Sequence, residues 1–466
     1  MIAITNLITA MFTNAKFFPS ISIIFKQNII PLCFDKIYIL INNMTLISKK
    51  LHKKGFDEMK LFKKGFALVM AMLIVSSVFT VMPLTSSAAT NNNVSVSASS
   101  TKSGKCGKNV KWTYKNNVLT IYGKGEMTRE IPESVTNNAE EIIVRDGVTD
   151  IGRLETGERL KKVTLGKGIT VIPSSLFADC IKLKTVKLSN NLRTIENDAF
   201  SGCESLTSIT IPEKVRKIQG NPFIECSKLT KINVNKNNKT YTSIDGILFT
   251  KSKKTLAVYP YGKKNSSYSV PKTVYKIAEN AFSESSSIRT IKMTNSVKRI
   301  DDNAFAHCYR LKNVTLSQRL TYIGEQVFND TEFNDTDSNW KNGYLYCGNA
   351  LISVKQNLKQ VTVKKGTRIL GTGAIDLCEN LKKVTLPEGL LYINDYALHD
   401  DTKLSTLTIP KSVKEIGKDA IGVYSDIDWD GNCITSKVNP FKVKVYKNSV
   451  GHKYAKKCKL NYQVIK

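Results

Sequence analysis

Hydrophobic positions recur along this chain with a period of 23 residues. Each cycle starts at an Ile or Leu, position 0, and a small residue followed by a large apolar one usually occupies +4 and +5. A small residue follows at +8, and apolar residues follow at +11, +14, +16 and +20. Cycles start at Ile151, Ile172, Ile195, Ile218, Ile277, Ile300, Ile323, Leu370, Ile393 and Ile416, with spacings of 21, 23, 23, 59, 23, 23, 47, 23 and 23 residues. This regularity predicts a solenoid, whose repeats bury their apolar sides against their neighbours, and the two long spacings predict insertions.

Each cycle contains two short elements of different shape. Apolar residues at +14 and +16 lie on the same side of a strand, which a Pro, Ser or Thr at +17 often ends. An Ala at +4 allows close approach of the backbone in a tighter turn, and the large residue at +5 fills the core. We expect the +5 side chains to stack along the solenoid: Phe177, Phe200, Phe223, Phe282, Phe305 and Phe328, followed by Ile375, Leu398 and Ile421.

The chain divides into further predicted segments around these cycles. The expected order is a translated upstream extension in residues 1–58, a signal peptide in 59–89, a flexible linker in 90–103, a β cap in 104–145, a solenoid in 146–421 and a second cap in 422–466. Alternating apolar residues on both sides of Asn116 and Asn117 predict a hairpin in the first cap, since Asn tolerates a positive φ. The second cap should contain a strand, a helix after Ser449 and a final strand, because a solenoid needs caps over its apolar ends.

A secretion signal is predicted from residues 59–89. The basic segment Met59–Lys64 precedes a mostly apolar stretch, and Ser87–Ala89 provides small residues for cleavage. A membrane anchor is the alternative, but hydroxyl residues and a proline interrupt the apolar stretch, which is marginal for spanning a bilayer. We expect Met59 to be the true start, because a signal peptide begins a chain. The expected product is a secreted protein without a stable membrane span after cleavage.

The two insertions lie near residues 235–269 and 332–357. Apolar runs flank an Asp-Gly turn at Asp245 and a Gly-Asn turn at Gly348, so each insertion is predicted to form a β-hairpin. Insertions in repeat proteins often form the binding surface. Exposed aromatic residues in the insertions would be candidate contacts with a partner. The alternative is that these residues cover the small core of the hairpin itself. They are Tyr241, Tyr259, Tyr261, Tyr268, Phe333 and Trp340.

Position +8 holds cysteine in five cycles: Cys180, Cys203, Cys226, Cys308 and Cys378. Other cycles place a different residue there: Ser285, Thr331 and Asp401. We therefore expect a small, semi-buried side chain and free thiols, although coils about 4.8 Å apart would allow Cys180 and Cys203 to form a disulfide. The chain has no C-x-x-C motif and no paired histidines, so we expect no zinc site.

The formal net charge of +30 comes mostly from lysine and favours an anionic partner. Basic residues and threonines collect at +12 and +15, which point outward from the predicted strands. The candidate binding residues are Lys161, Lys184, Lys187, Arg289, Lys292, Lys312, Lys359 and Lys382. Stacked like charges repel, so an anionic ligand that matches the rows would be bound favourably. The alternative is a β-prone, solvated face without a ligand.

Three aspartates resemble the start of a calcium-binding loop: Asp426, Asp428 and Asp430. Lys437 occupies the twelfth position, where such a loop needs a carboxylate, so an Asp-Gly turn is the alternative. The chain shows no phosphate-binding loop, nucleophile elbow or metal-binding motif, and no nucleic-acid-binding module. We therefore expect no catalysis, no cofactor and no nucleic-acid partner.

The cycle I-x-x-x-A-F-x-x-C-x-x-L-x-x-V-x-L-P-x-x-V-x-x-I resembles the BspA-like bacterial leucine-rich-repeat surface proteins. The resemblance extends over about Ile142–Ile421, and the end segments and insertions are also similar to that family. It implies a leucine-rich-repeat solenoid and a secreted or surface protein that serves adhesion or host interaction, generally without catalysis. The family has no fixed binding residues, so no site is assigned. A protein partner is the leading hypothesis, an anionic glycan or cell-wall polymer is the alternative, and a hydrolase carried by the insertions is a third.

Overall fold

Each regular cycle forms one coil that contributes a strand to each of two series of sheets. The computed structural model describes residues 101–427 and 433–466. The predicted upstream extension, 1–58, and signal peptide, 59–89, lie outside the described residues, as does most of the predicted linker.

The first series carries the strands around position +14, and together with the caps it forms one side of the coils. Its hydrogen-bonded groups are Lys102–Lys105, Val110–Lys115, Val118–Gly123, Glu141–Val144, Lys162–Leu165 and Thr185–Lys187; Ser208–Ile211 and Lys231–Val234; Ser267–Ser269, Thr290–Lys292 and Asn313–Thr315; Gln360–Thr362 and Lys383–Thr385; Thr406–Thr408, Lys442–Tyr446 and Tyr462–Ile465.

The second series carries two-residue strands at positions −1 and 0, together with the strands of the insertions. Its groups are Gly125–Glu126 and Val148–Asp150; Val171–Ile172, Thr194–Ile195 and Lys217–Ile218; Tyr241–Ile244, Ile247–Thr250, Thr255–Val258, Lys276–Ile277, Arg299–Ile300 and Tyr322–Ile323; Trp340–Lys341, Tyr344–Cys347, Ala350–Val354, Ile369–Leu370, Tyr392–Ile393 and Glu415–Ile416. The helical segments of the described residues are Glu133–Thr136, Glu332–Asp335, Asp337–Asn339 (3₁₀) and Val450–Lys457.

Parallel pairing aligns residues that are 23 apart in the sequence. Ile209 lies beside Ile232 in the first series, and Ile195 lies beside Ile218 in the second. This register places each +14 residue next to the +14 residue of the neighbouring coil. Because successive side chains of a strand point to opposite sides, all the +14 side chains lie on the core side. The solenoid that the period predicts is therefore confirmed.

The large residues at +5 form an aromatic stack inside the coils. The ring centroids of Phe282 and Phe305 lie 4.9 Å apart, and those of Phe305 and Phe328 lie 5.8 Å apart. The backbones of neighbouring coils approach closely at the small residue of position +4, where the Phe282 N–H donates to the Ala304 carbonyl of the next coil at 2.8 Å. This close approach allows the rings to stack. The predicted stacking is confirmed, and Tyr259, which the sequence did not place there, stacks on Phe282 at 4.8 Å.

The cysteines at +8 are buried free thiols, as predicted. The thiol of Cys203 donates to the Phe177 carbonyl of the preceding coil at 3.2 Å, and Cys308 donates to the Phe282 carbonyl at 3.0 Å. Burial raises the pKa of the Cys308 thiol to about 12, which favours the protonated donor. Position +8 therefore accommodates a small buried side chain, and in these two coils its thiol donates to the neighbouring coil.

The first insertion is a three-stranded antiparallel meander followed by an extra coil, whereas the sequence predicted only a hairpin. Its strands are Tyr241–Ile244, Ile247–Thr250 and Thr255–Val258. The third strand pairs in parallel with the strand of the next cycle and aligns Leu256 with Ile277, so a shortened coil of 21 residues begins at Leu256.

The second insertion begins with two helical turns that the sequence did not predict. They are followed by an antiparallel meander of the strands Trp340–Lys341, Tyr344–Cys347 and Ala350–Val354. Its last strand aligns Leu351 with Leu370, so the next coil has only 19 residues and lacks the Ala-Phe turn. Across this short coil, the Asn394 amide donates to the Thr321 carbonyl at 3.0 Å and accepts from the Ile323 N–H at 2.9 Å.

Of the six aromatic residues named in the insertions, three are buried, and for these the prediction of an exposed contact is wrong. Tyr241, Tyr259 and Phe333 are buried, and Tyr261, Tyr268 and Trp340 are half-buried. The Tyr241 hydroxyl accepts a hydrogen bond from the Ile218 N–H at 3.0 Å and thereby satisfies the open edge of a sheet. These rings pack where the insertions interrupt the coils, which agrees with the alternative that they cover a core.

The first cap contains the predicted hairpin and one additional strand. Asn116 and Asn117 form its turn with φ values of 49° and 62°, between strands Val110–Lys115 and Val118–Gly123. Lys102–Lys105 pairs antiparallel with Val110–Lys115. The predicted linker boundary at residue 103 is therefore wrong, because ladder hydrogen bonds fix the residues from 102 onward.

The second cap has the predicted order of strand, helix and strand. The Ser449 hydroxyl caps the helix Val450–Lys457 by accepting from the His452 N–H at 3.1 Å. The two strands, Lys442–Tyr446 and Tyr462–Ile465, pair in parallel beside the last coil. Within the described ranges, no helix is both long and apolar enough to cross a membrane.

The candidate calcium residues lie in a hairpin of the second cap that the sequence did not predict. Asp426 belongs to the strand Val423–Ile427, which pairs antiparallel with Cys433–Lys437. Asp428 and Asp430 lie outside the described residues.

Candidate functional site

The outward side of the first series of strands presents rows of exposed side chains, and we name it the strand face. Residues at +14 point into the core, so those at +13 and +15 point outward. Lys231 and Asn233, for example, are exposed on either side of the buried Ile232. Residues at +12, just before each strand, are exposed beside them. The strand face consists of the side chains at +12, +13 and +15.

All the predicted binding residues are exposed on the strand face: Lys161, Lys184, Lys187, Arg289, Lys292, Lys312, Lys359 and Lys382. The +12 row brings basic residues of neighbouring coils together. The Lys184 N–H donates to the Lys161 carbonyl at 2.9 Å, and the Lys382 N–H donates to the Lys359 carbonyl at 2.9 Å. The expected stacking of like charges is therefore present in this row.

Acidic residues neutralise part of the +12 row, which the sequence analysis did not predict. Glu140 pairs with Lys161 at 2.8 Å, and Glu332, from a helical turn of the second insertion, pairs with Lys312 at 2.9 Å. The hydrogen bond from Lys161 holds the pKa of Glu140 below its usual value. Within the described part of the chain, neither Lys359 nor Lys382 makes a salt bridge. These two lysines therefore form the most strongly positive pair of the row.

The +13 row contains lysines that the sequence analysis overlooked: Lys162, Lys231 and Lys383. Their cross-strand neighbours are neutral or acidic, because Lys231 faces Ser208 and Lys383 faces Gln360, while Lys162 pairs with a glutamate. Charges in this row are thus spaced by hydroxyl and amide groups. The strict alternation of the strand sides is the signal that would have identified these positions.

Aromatic rings of the second insertion border the strand face next to the Lys359–Lys382 pair. The Tyr344 hydroxyl accepts from the Thr362 N–H at 2.9 Å, and the Tyr346 hydroxyl accepts from the Lys364 N–H at 3.1 Å. The two tyrosine hydroxyls thus act as the hydrogen-bond acceptors that a neighbouring strand would otherwise provide at this edge of the sheet. Both rings are half-buried and nearly parallel, with centroids 6.1 Å apart, and the Lys364 ammonium lies 4.1 Å from the Tyr346 ring.

A separate cluster of titratable groups lies in the tight turns of two successive coils. The His399 Nδ1 lies 3.2 Å from the Asp400 Oδ2 and 3.7 Å from the Asp376 Oδ1. Burial raises the pKa of Asp376 to about 6 and that of the adjacent Asp401 to about 8. The sequence did not predict this cluster, because His399 and Asp376 are one repeat apart in the chain. Three of these side chains, Asp376, His399 and Asp400, could hold a metal ion.

His307 occupies a similar but more open setting in another coil. Its Nδ1 lies 2.9 Å from the Asp330 Oδ2 and 4.0 Å from the Glu284 Oε1. The side chain of His307 is 38% exposed, compared with 8% for His399. His307 therefore provides a matched reference for the buried cluster.

The match to a family model agrees with the coil architecture. Six copies of the BspA type leucine rich repeat region match residues 149–260, 257–339 and 345–449. A leucine-rich repeat protein from Eubacterium ventriosum ATCC 27560 is 22% identical, with a TM-score of 0.43, and the match covers 69% of this chain and 94% of that one. A leucine rich cell surface protein from Faecalibacterium prausnitzii A2-165 is 22% identical over 70% and 96%, with a TM-score of 0.38. The pneumococcal vaccine antigen PcpA is 18% identical over 78% and 99%, with a TM-score of 0.38. No curated protein matches the chain.

Proposed function

Because this chain belongs to the BspA-type leucine-rich repeat proteins, we propose that it is a secreted or surface-associated protein that recognises a partner without catalysis. The observation that carries this proposal is the strand face, on which parallel register aligns exposed side chains in rows within each group of strands. Such rows offer a large, repetitive surface, which suits a macromolecular partner better than a small molecule.

A protein with an acidic surface is the partner that the strand face favours. Its lysines at +13 and +15 alternate with hydroxyl and amide groups, as where Lys292 lies between Ser269 and Thr315. Spaced charges repel one another little in the free protein, and each can meet a separate carboxylate of the partner. The neighbouring polar groups can add hydrogen bonds that fix the register of binding.

An anionic glycan or cell-wall polymer is the second candidate, and one observation favours it. Lys359 and Lys382 are stacked and make no salt bridge with a described residue, and the half-buried rings of Tyr344 and Tyr346 lie beside Thr362 and Lys364 of the same coil. A polymer with repeated negative charges would relieve the repulsion between the two ammonium groups, and the rings offer flat apolar surfaces to sugar units. Binding of this kind weakens steeply with salt because it rests on exposed charges.

Reversing the charge of the stacked pair should weaken binding. In the purified full-length protein, we expect K359E/K382E to lose at least about tenfold in affinity, since each tenfold change corresponds to about 1.4 kcal/mol. Binding is measured against host matrix proteins, anionic glycans and bacterial wall polymers, at low and high salt. The matched control, K411E/K414E, makes the same change in charge at two exposed lysines outside the strand face.

A second variant, K184E/K292E, separates the two candidates. Loss of binding in both strand-face variants, together with binding to one protein rather than to polyanions in general, supports a protein partner that covers the rows. Loss in K359E/K382E alone, together with a steep salt dependence, supports the polymer. Equal affinity of the strand-face variants and the control would show that the strand face is not the binding surface.

A further inference from the structure

We propose that Asp376, His399 and Asp400 form a binding site for a divalent transition-metal cation of the zinc or manganese class. The site lies in the tight turns of successive coils and does not involve the strand face. The proposal is therefore independent of the partner that the protein recognises.

The geometry of the cluster suits a single ion. One ligand atom from each of the three side chains lies within 4.8 Å of the other two. The side chains of Asp376, His399 and Asp400 are 28%, 8% and 20% exposed, so water reaches one side of the cluster and protein encloses the rest. An ion at the centre would keep this open side for water, as three-ligand metal sites do.

Uncompensated negative charge around the cluster points to a cation. In the part of the chain that the structure describes, no lysine or arginine forms a salt bridge with Asp376, Asp400 or Asp401. Asp401 is only 2% exposed, and its Oδ2 has no hydrogen-bond partner. Its carboxyl also interacts electrostatically with Asp376 and Asp400. Buried charges in proteins are usually paired or coordinate a metal, and a chain this rich in lysine supplies no pairing cation here.

A proton on His399 is the simplest alternative to a metal. An Nδ1–H group between two carboxylates would balance one negative charge. It would leave the second of the two carboxylates, Asp376 and Asp400, unbalanced. A divalent cation in place of that proton would compensate the negative charges of both Asp376 and Asp400.

The ligand set selects the class of metal. Calcium and magnesium prefer oxygen ligands throughout, whereas imidazole together with carboxylates suits zinc, manganese and related ions. Neighbouring groups hold the ligands in place. The Asp400 Oδ1 accepts from the Ser425 N–H at 2.7 Å, and the Asp376 Oδ1 accepts from the Leu377 N–H at 2.9 Å. The Tyr396 ring packs edge-on against His399 at 5.3 Å. Such support fixes the ligand atoms before the ion arrives.

Calorimetric titration of the full-length protein without a polyhistidine tag tests the proposal. After removal of bound metal with a chelator, zinc or manganese should bind at about one equivalent and raise the melting temperature. His399→Gln should weaken this binding by about 100-fold or more, because removing supporting groups alone costs 10–100-fold. The matched control His307→Asn should bind like the wild type.

Asp400→Asn provides a second test in case the histidine variant misfolds. Asparagine tolerates the φ of 57° at this position and can still accept from the Ser425 N–H, so the turn should be retained while the charge is lost. This variant should melt like the metal-free wild type but bind zinc at least about tenfold more weakly. The proposal is overturned if the wild type binds neither ion, if His399→Gln and Asp400→Asn bind like the wild type, or if only calcium binds.

Discussion

Phe305→Ala is expected to lower the free energy of unfolding by about 3–5 kcal/mol, the usual cost of removing a buried aromatic ring. Phe305 is fully buried, and its ring lies between those of Phe282 at 4.9 Å and Phe328 at 5.8 Å. Its removal leaves a cavity between coils, and a solenoid has no distant contacts that could compensate for it. Urea unfolding, followed by circular dichroism and by hydrogen exchange, measures the change.

The position of Phe305 predicts how the variant unfolds as well as its stability. Because each coil contacts only its neighbours, the coils on either side of the cavity should lose their coupling and unfold in separate steps. The control is Tyr309→Ala, whose side chain is 59% exposed and which should cost less than about 0.5 kcal/mol. A single transition with a loss below about 1 kcal/mol in Phe305→Ala would contradict the stacked core.

Asn238→Val is expected to destabilise the protein by about 3 kcal/mol or more, although it restores the apolar residue that the repeat has at +20. The Asn238 side chain is fully buried and makes four hydrogen bonds. Its amide nitrogen donates to the carbonyls of Pro212 at 2.7 Å and Val215 at 3.2 Å. Its oxygen accepts from the N–H groups of Thr240 and Tyr241, both at 2.8 Å. Valine would fill the space but remove all four of these hydrogen bonds.

The effect of Asn238→Val should concentrate at the start of the first insertion. Hydrogen exchange of the Thr240 and Tyr241 amides should accelerate far more than that of amides in the coils before it. Asn237→Val changes an exposed neighbour and serves as the control. If Asn238→Val were as stable as the wild type, the first insertion would not depend on this side chain.

The sequence by itself determined the regular part of the fold. Parallel register makes residues one period apart into neighbours, so the 23-residue pattern is sufficient to align Ile209 with Ile232 and to stack Phe282 on Phe305. The same argument places small side chains at +8 and predicts that lysines such as Lys359 are exposed. It also predicts the cap elements, because Asn116–Asn117 and Ser449 are local turn and helix-start signals.

Only the tertiary structure decided what happens where the period fails. An insertion has no repeat to fix its neighbours, so the sequence did not reveal that Leu256 begins an extra coil or that Glu332 reaches Lys312. The Asp376–His399 cluster was missed for a related reason. Its members are one repeat apart, and their approach depends on side-chain directions within a tight turn. The repeat period determines which residues of successive coils are adjacent. The path of the chain through the insertions and the packing of individual side chains determine which functional groups come into contact.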